Sequence, residues 1–259
     1  MRMSDWNPDL YARFTDLRLR PALDLLMQVP TLPDGDVIDL GCGNGPVGPA
    51  LRSRFPDRRI IGVDTSPAML EKAEATGAYD ALQEGDIATW RPETAPALIF
   101  SNAALHWLPD HEALLPRLAG LLADCGMLAV QVPHQNPAVS HRSWHDLVAL
   151  HFPGRFDPAT APGIPDAATT FDILSGIGAA QMWETEYFQL LPPAEAAHPV
   201  RLFTASTYAR PVLDVLEPEE QAELLKHYDR AMDKAYPRRP DGSVLFPFRR
   251  LFYTVTPEN

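Results

Sequence analysis

The sequence predicts an α/β fold, an open, largely parallel sheet with helices on both faces. Three observations carry that reading. Short apolar runs alternate with helical patterns along the first half of the chain. The first run ends in glycines at 41, 43 and 45, and the second ends in Asp64, nineteen residues beyond Gly45. An apolar strand entering a glycine-rich turn, followed by an acidic residue at the next strand end, is how a parallel sheet presents a nucleoside site at its carboxyl edge.

Taken in order, Val37–Leu40 is the first strand and Arg59–Asp64 the second. Ser66-Pro67 then starts a helix over Pro67–Ala75, with a capping hydroxyl followed by proline at the first helical position. Tyr79–Glu84 and Ala97–Ser101 read as strands three and four, His111–Leu122 as a helix, and Met127–Val132 as strand five. After Pro133 the alternation breaks. Residues 134 to 168 carry many prolines and one helical pattern at 141–151, which predicts an insertion over the active face. The alternation resumes with a helix at Phe171–Ile177, a strand at Met182–Leu190, helices at Glu195–Leu216 and Glu219–Tyr236, and a last strand at Arg250–Thr256. In the last helix Leu224, Leu225, Tyr228 and Met232 form one stripe, expected to pack rather than to meet a partner. The expectation is a single domain. Its core covers about 31–133, 170–191 and 244–256, and a helical cap covers about 1–30, 134–169 and 192–243.

Charge narrows the function. With 34 acidic and 22 basic residues the net charge is −12, and such a field repels nucleic acid and anionic lipid. No apolar stretch approaches the ~20 residues that span a bilayer. Two cysteines, Cys42 and Cys125, make neither a disulfide framework nor a zinc cluster, and a reducing cytoplasm is the expected compartment. No obligate protein partner is evident. A small anionic substrate stays possible, because a few arginines in a low-dielectric pocket outweigh a distant negative surface.

The glycine loop narrows the cofactor. A dinucleotide fingerprint needs a third glycine where Pro46 stands, and a phosphate-binding P-loop needs a Gly-Lys-Ser/Thr that is missing. The spacing G-x-G-x-G after Asp39-Leu40 resembles that of class I S-adenosylmethionine-dependent methyltransferases, whose fold is a Rossmann-like seven-stranded sheet. In such a site Asp64 accepts from the ribose hydroxyls. Asp86 accepts from the adenine amine, unless it is only the turn residue after Gly85, and Ile87 flanks the ring. The segment from Asn102 to Trp107, following strand four, forms the floor under the transferred methyl.

Farther motifs sharpen the resemblance. SDWNPDLYARF, RLRPALDLL, DLGCGNG, GVDTSPAML, SNAALHWLPDH and FPFRRLF together resemble the trans-aconitate methyltransferase family along nearly the whole chain. The resemblance implies a methyl transfer from S-adenosylmethionine to a carboxylate of trans-aconitate. It implies cofactor contacts from Tyr11, Arg20, Asp39, Gly41, Gly43, Asp64, Thr65, Met69, Asp86, Ile87, Asn102 and Trp107. Trp6, Tyr11 and Phe14 either fold over the cofactor as a lid or pack on the core. The loop order Asn44-Gly45-Pro46-Val47 departs from the family's pattern at the methionine end.

An ionised carboxylate is its own nucleophile, so no general base is required and catalysis rests on positioning and desolvation. Side chains are needed to grip the other carboxylates, for which arginine's planar fork is suited. His134, Tyr208, Arg210 and Arg250 are the expected substrate contacts. Were the acceptor a hydroxyl, His106 would be the base. Another small carboxylic acid, or an acyl-carrier ester, would keep the cofactor motifs and change the cap. His141 and His145, four apart, lack a third ligand at a recognisable spacing, so no metal is expected.

Overall fold

The computed structural model describes residues 15–158, 161, 163–205 and 208–258, arranged as two compact units. The first is built on Arg18–Pro133, Gly163–Thr185 and Arg250–Asn259. Helix α1 (Thr15–Leu26) leads into β1 (Val37–Leu40), which is followed by α2 (Gly48–Arg54), β2 (Ile60–Asp64), α3 (Pro67–Glu74), β3 (Ala81–Glu84) and β4 (Leu98–Asn102). A 3₁₀ turn at Leu105–Trp107, α4 (His111–Ala119) and β5 (Met127–Pro133) complete the run.

These strands and two later ones, β6 (Gly178–Leu191) and β7 (Val244–Pro257), form a seven-stranded sheet in the order β3-β2-β1-β4-β5-β7-β6. The first five pair in parallel and β7 runs antiparallel to β5, so the sheet is mixed. The expected parallel pattern covers β1 to β5. Every residue of β1 is buried, as a central parallel strand covered on both faces requires. Ser101 Oγ donates to Leu40 O at 2.8 Å, tying β4 to β1 next to the glycine loop. Arg58 donates to the carbonyls of Leu32, Pro33 and Gly35, satisfying three acceptors in the segment that enters β1. One face of the sheet packs Ile38, Ile99, Val130, Val132, Leu251, Tyr253 and Val255 into a core with Leu105, Leu114 and Leu118.

The second unit is built on His134–Pro162 and Glu186–Arg249. Its helices there are α5 (Val139–His151), α7 (Pro199–Ala205), α8 (Arg210–Leu213) and α9 (Pro218–Ala235), while α6 (Ala167–Ser175) belongs to the first unit. Leu224, Tyr228 and Met232, all fully buried, do form a packed stripe. Trp144 stacks on Tyr228 with ring centroids 3.8 Å apart. Both polar tips are satisfied: Trp144 Nε1 donates to Thr204 Oγ1 at 3.2 Å and Tyr228 OH to Ser140 O at 2.6 Å.

Several boundaries differ from expectation for local reasons. The helix expected over Glu195–Leu216 is two helices, because Pro211 at the start of α8 has no N–H and can begin a helix but not continue one. Helix α6 begins at Ala167, where Asp166 Oδ1 accepts from Thr169 N at 2.9 Å and sets the start. Strand β7 begins six residues before Arg250. Val244, Phe246 and Phe248 alternate inward across Pro247, a residue that obscures a strand pattern.

Shortening Leu224 to alanine removes a fully buried side chain from the cluster that also holds Trp144 and Tyr228. Leu224→Ala is expected to lower folding stability by about 2–5 kcal/mol in equilibrium denaturation. A loss under about 1 kcal/mol would show that the stripe is not a closed core.

Candidate active site at the carboxyl edge of the sheet

The glycine loop closes on the protein at two of its three glycines. A Cβ on Gly41, which sits at φ +78°, would fall 2.3 Å from the Cβ of Ala104. On Gly45 it would meet Ala73 and the Tyr79 ring at 3.0 Å. The same ring lies against Gly48 and Gly62. Of the three, only Gly43, at φ +56°, has nothing among the described residues within 4 Å of where a Cβ would stand. Among the described residues, the backbone left bare for a ligand is that of Gly43. The other two make room for Ala104 and Tyr79.

Asp64 fastens the loop. Its Oδ2 accepts from Gly43 N at 2.9 Å and its Oδ1 from Ser66 N at 3.0 Å. An ionised carboxylate has about four acceptor positions, so one on each oxygen remains for a ligand's hydroxyls. Ser66 caps α3, with Met69 N donating to its Oγ; Met69 is buried and Thr65 exposed. Asp86 is exposed, its Oδ1 accepting from Ala88 N at 2.8 Å in the turn that follows Gly85, while Ile87 is buried beside Gly41.

Asp39 lies one strand inward and is 1 % exposed. Tyr79 OH donates to its Oδ2 at 2.7 Å. Burial pushes the Asp39 carboxyl up to about 7 in spite of that bond, and the charge of Asp64 adds to the rise. Cys42, buried in the loop, has its thiol held far above the usual range by burial and by the same two carboxylates.

Register carries the site across the sheet. Asp64 pairs with Glu84 on β3, Gly41 stands beside Asp64, and Asn102 at the end of β4 pairs with Gln131 on β5. Ala103 follows at φ +55°, an uncommon conformation for a residue with a Cβ, and its N–H donates to Gln131 O at 2.8 Å. The His106 and Trp107 rings adjoin at 4.8 Å, and Gly163 N donates to His106 O. Asn102 Oδ1 and both amide atoms of Gln131 are buried with no hydrogen-bond partner among the described residues. Each such group costs about 1–3 kcal/mol when left unpaired.

The remaining expected residues fall in several places. Tyr11 lies outside the described residues. Arg20 is exposed on α1, its Nε donating to Asp24 Oδ1 at 2.7 Å. Arg250 is buried on β7 in the first unit. In the second unit His134 N donates to Arg249 O, Tyr208 is buried, and Arg210 opens α8. Burial lifts the Tyr208 phenol to about 12. His141 packs its ring on Tyr208 and Phe248, and His145 on Phe156 and Tyr208. His151, Glu223 and His227 do converge, but the two imidazoles stack at 3.9 Å with planes 22° apart. A metal must lie in both ring planes, which near-parallel rings do not allow.

Sequence reasoning passed over Gln131 and Tyr79. Gln131 had a visible signal, a lone amide inside the apolar run MLAVQVP. Tyr79 had none, since nothing local shows that its ring will lie across three glycines.

A mixed sheet with a glycine loop after β1 and an acidic end to β2 defines the class I methyltransferase type. A family model described as a methyltransferase domain matches residues 11–172. The chain is 46% identical over 257 residues to trans-aconitate 2-methyltransferase of Methylobacterium radiotolerans, covering 96% of this chain and 97% of that one. It is 38% identical over 252 residues to the protein of that name from Escherichia coli, with the same coverages. The crystal structure of the YcgJ protein from Bacillus subtilis shares the fold at a TM-score of 0.60 and 16% identity, covering 93% of this chain and 99% of that one. The chain belongs to the trans-aconitate 2-methyltransferase family of methyltransferases.

The buried Asp39 makes a signed prediction. Its folded-state value lies above the ordinary 3.8, so the stability it contributes is present at low pH and is lost as pH rises from about 4 through 7. Without ligand, wild type should lose stability relative to Asp39→Asn across that window, by at most about 1.4 kcal/mol per pH unit. Parallel stability curves for the two proteins would refute a raised Asp39.

Proposed function

We propose that this chain methylates a carboxylate of trans-aconitate, using S-adenosylmethionine and releasing S-adenosylhomocysteine and a monomethyl ester. Near-full-length identity to relatives of that name supports the substrate. The observation that carries the cofactor reading is the open face of Gly43 next to Asp64, whose two oxygens each keep an acceptor position. S-adenosylmethionine supplies, when bound, a methyl group activated on a sulfonium.

The residues divide the remaining work. Asp64 accepts from the ribose hydroxyls while its bonds to Gly43 and Ser66 hold the loop in shape. Ile87 lends the adenine an apolar wall, and Asp86 at the same turn accepts from the ring's amine. Asn102 and Trp107, at the carboxyl end of β4 and in the turn after it, bound the position of the methyl. Arg250, buried on β7, grips a carboxylate that does not react. No side chain takes a proton, since the attacking oxygen is already ionised. His106 is part of the wall. Two free cysteines fit a reducing compartment, and a cytoplasmic setting is part of the proposal. Among the described residues no helix is long and apolar enough to cross a membrane.

Two measurements test this reading. Asp64→Ala should weaken S-adenosylhomocysteine binding by about 1–3 kcal/mol in calorimetry, and unchanged affinity would move the ribose elsewhere. For the chemistry, the rate at saturating cofactor should fall only on the acidic side, as acceptor carboxylates protonate. His106→Ala should keep that profile. A histidine-range titration lost in His106→Ala, with a rate fall of about a hundredfold or more, would point to a general base and a hydroxyl acceptor.

A further inference from the structure

The row of residues at the carboxyl edge does not stop at the cofactor's side of the sheet. Beyond Asn102 it continues to Gln131 on β5 and then to Phe252 on β7, and two residues further along the same strands Pro133 pairs with Arg250. Side chains alternate between faces along a strand, so Asn102, Gln131, Phe252 and Arg250 share one face of the sheet. Phe252 is covered there by Trp183, stacked at 5.0 Å with planes 8° apart. Gln131 is fully buried, and neither its oxygen nor its nitrogen has a partner among the described residues. In the middle of an apolar strand a leucine of similar volume would pack without that penalty. An amide kept at this point calls for a group that none of the described residues supplies. Its neighbours indicate which: Asn102 Oδ1 is another buried, unpartnered amide atom on the side of the methyl donor, and Arg250 is a buried guanidinium on the far side.

We propose that Gln131 holds the attacking carboxylate of the acceptor, Nε2 donating to one carboxylate oxygen while the other oxygen is left to take the methyl. This rests on the reading of the chain as a carboxylate methyltransferase. The chemistry favours a neutral donor at this place. A guanidinium would pair the full charge of the nucleophile and blunt it, whereas an amide orients the carboxylate and leaves its charge in place. Arg250, with its fixed positive charge, suits a carboxylate that stays a spectator. The balance is simple: the carboxylate oxygen forms the new bond to the methyl carbon, the sulfur–carbon bond breaks with its electron pair going to sulfur, and no proton moves.

The test uses Gln131→Met and Gln131→Leu, both close to the native volume. Each is assayed for methyl transfer to trans-aconitate, calorimetric affinity for S-adenosylhomocysteine, and melting temperature. Expected are a fall in kcat/KM of about 10- to 100-fold, the range for losing a hydrogen bond to a charged group. Cofactor-product affinity should stay within about twofold, and the melting temperature should hold or rise because an unpaired amide is gone. A kcat/KM within about twofold of wild type overturns the proposal. So does a drop in both melting temperature and S-adenosylhomocysteine affinity in the two variants, which would make the amide structural. A wild type that transfers no methyl to trans-aconitate or to any other carboxylic acid, while still binding S-adenosylhomocysteine, fails the underlying carboxylate-methyltransferase reading instead and removes this proposal with it.

Discussion

The carboxylate of Asp64 is the constraint on which the site hangs. It gathers the N–H of Gly43, in the loop after β1, and the N–H of Ser66, at the head of α3, onto its two oxygens. The loop can take that path because Gly41 and Gly45 lack side chains where Ala104, Ala73 and the Tyr79 ring press in. Two successive strand ends are thereby held in one geometry before any ligand arrives, and what remains exposed is backbone at Gly43 and unused lone pairs on Asp64. A site assembled from fixed peptide groups needs little reordering on binding, and this spares affinity the cost of freezing loops.

Much of this was legible in the sequence because the signals are local. A run of apolar residues, three glycines at alternate positions and an aspartate at the next strand end depend only on the chain's own neighbours, and β1, β2 and α3 lie where those signals put them. What was illegible depends on residues distant in sequence. Tyr79 explains Gly48 and Gly62 as well as Gly45, yet no spacing announces a ring lying across all three. Pro247 hid the first half of β7, and Pro211 split a helix that hydrophobic periodicity alone runs together. Asp86 shows a limit of another kind. The same carboxylate serves its own turn, through Ala88 N, and remains exposed enough to serve a ligand.

The carboxyl edge is also where the fold tolerates its poorest internal accounts. Asp39 is buried and pushed toward neutrality, Ala103 occupies a left-handed conformation, and the Asn102 and Gln131 amides stay unpaired. At other points of the first unit polar groups close on one another, as Ser101 does with Leu40 and Arg58 with three carbonyls. Tyr253 OH and His111 Nε2 also lack partners among the described residues, but the gathering of a buried carboxyl, a strained residue and two unpaired amides along one edge is the physical mark of a surface shaped for something other than its own stability.

Cys42 sits in the middle of that surface with its sulfur covered and its proton held tightly, while Cys125 stands exposed in the same chain. Thiolate, not thiol, reacts with alkylating reagents and oxidants, so in the closed loop Cys42 is chemically silent. Its reactivity would report any opening of the loop that let water reach the sulfur. The chain thus contains both a shielded reporter and an internal standard for it, and the ratio of their labelling rates measures how often the glycine loop breathes. A bound nucleoside that pins the loop would lower that ratio without any change in the sulfur's own chemistry.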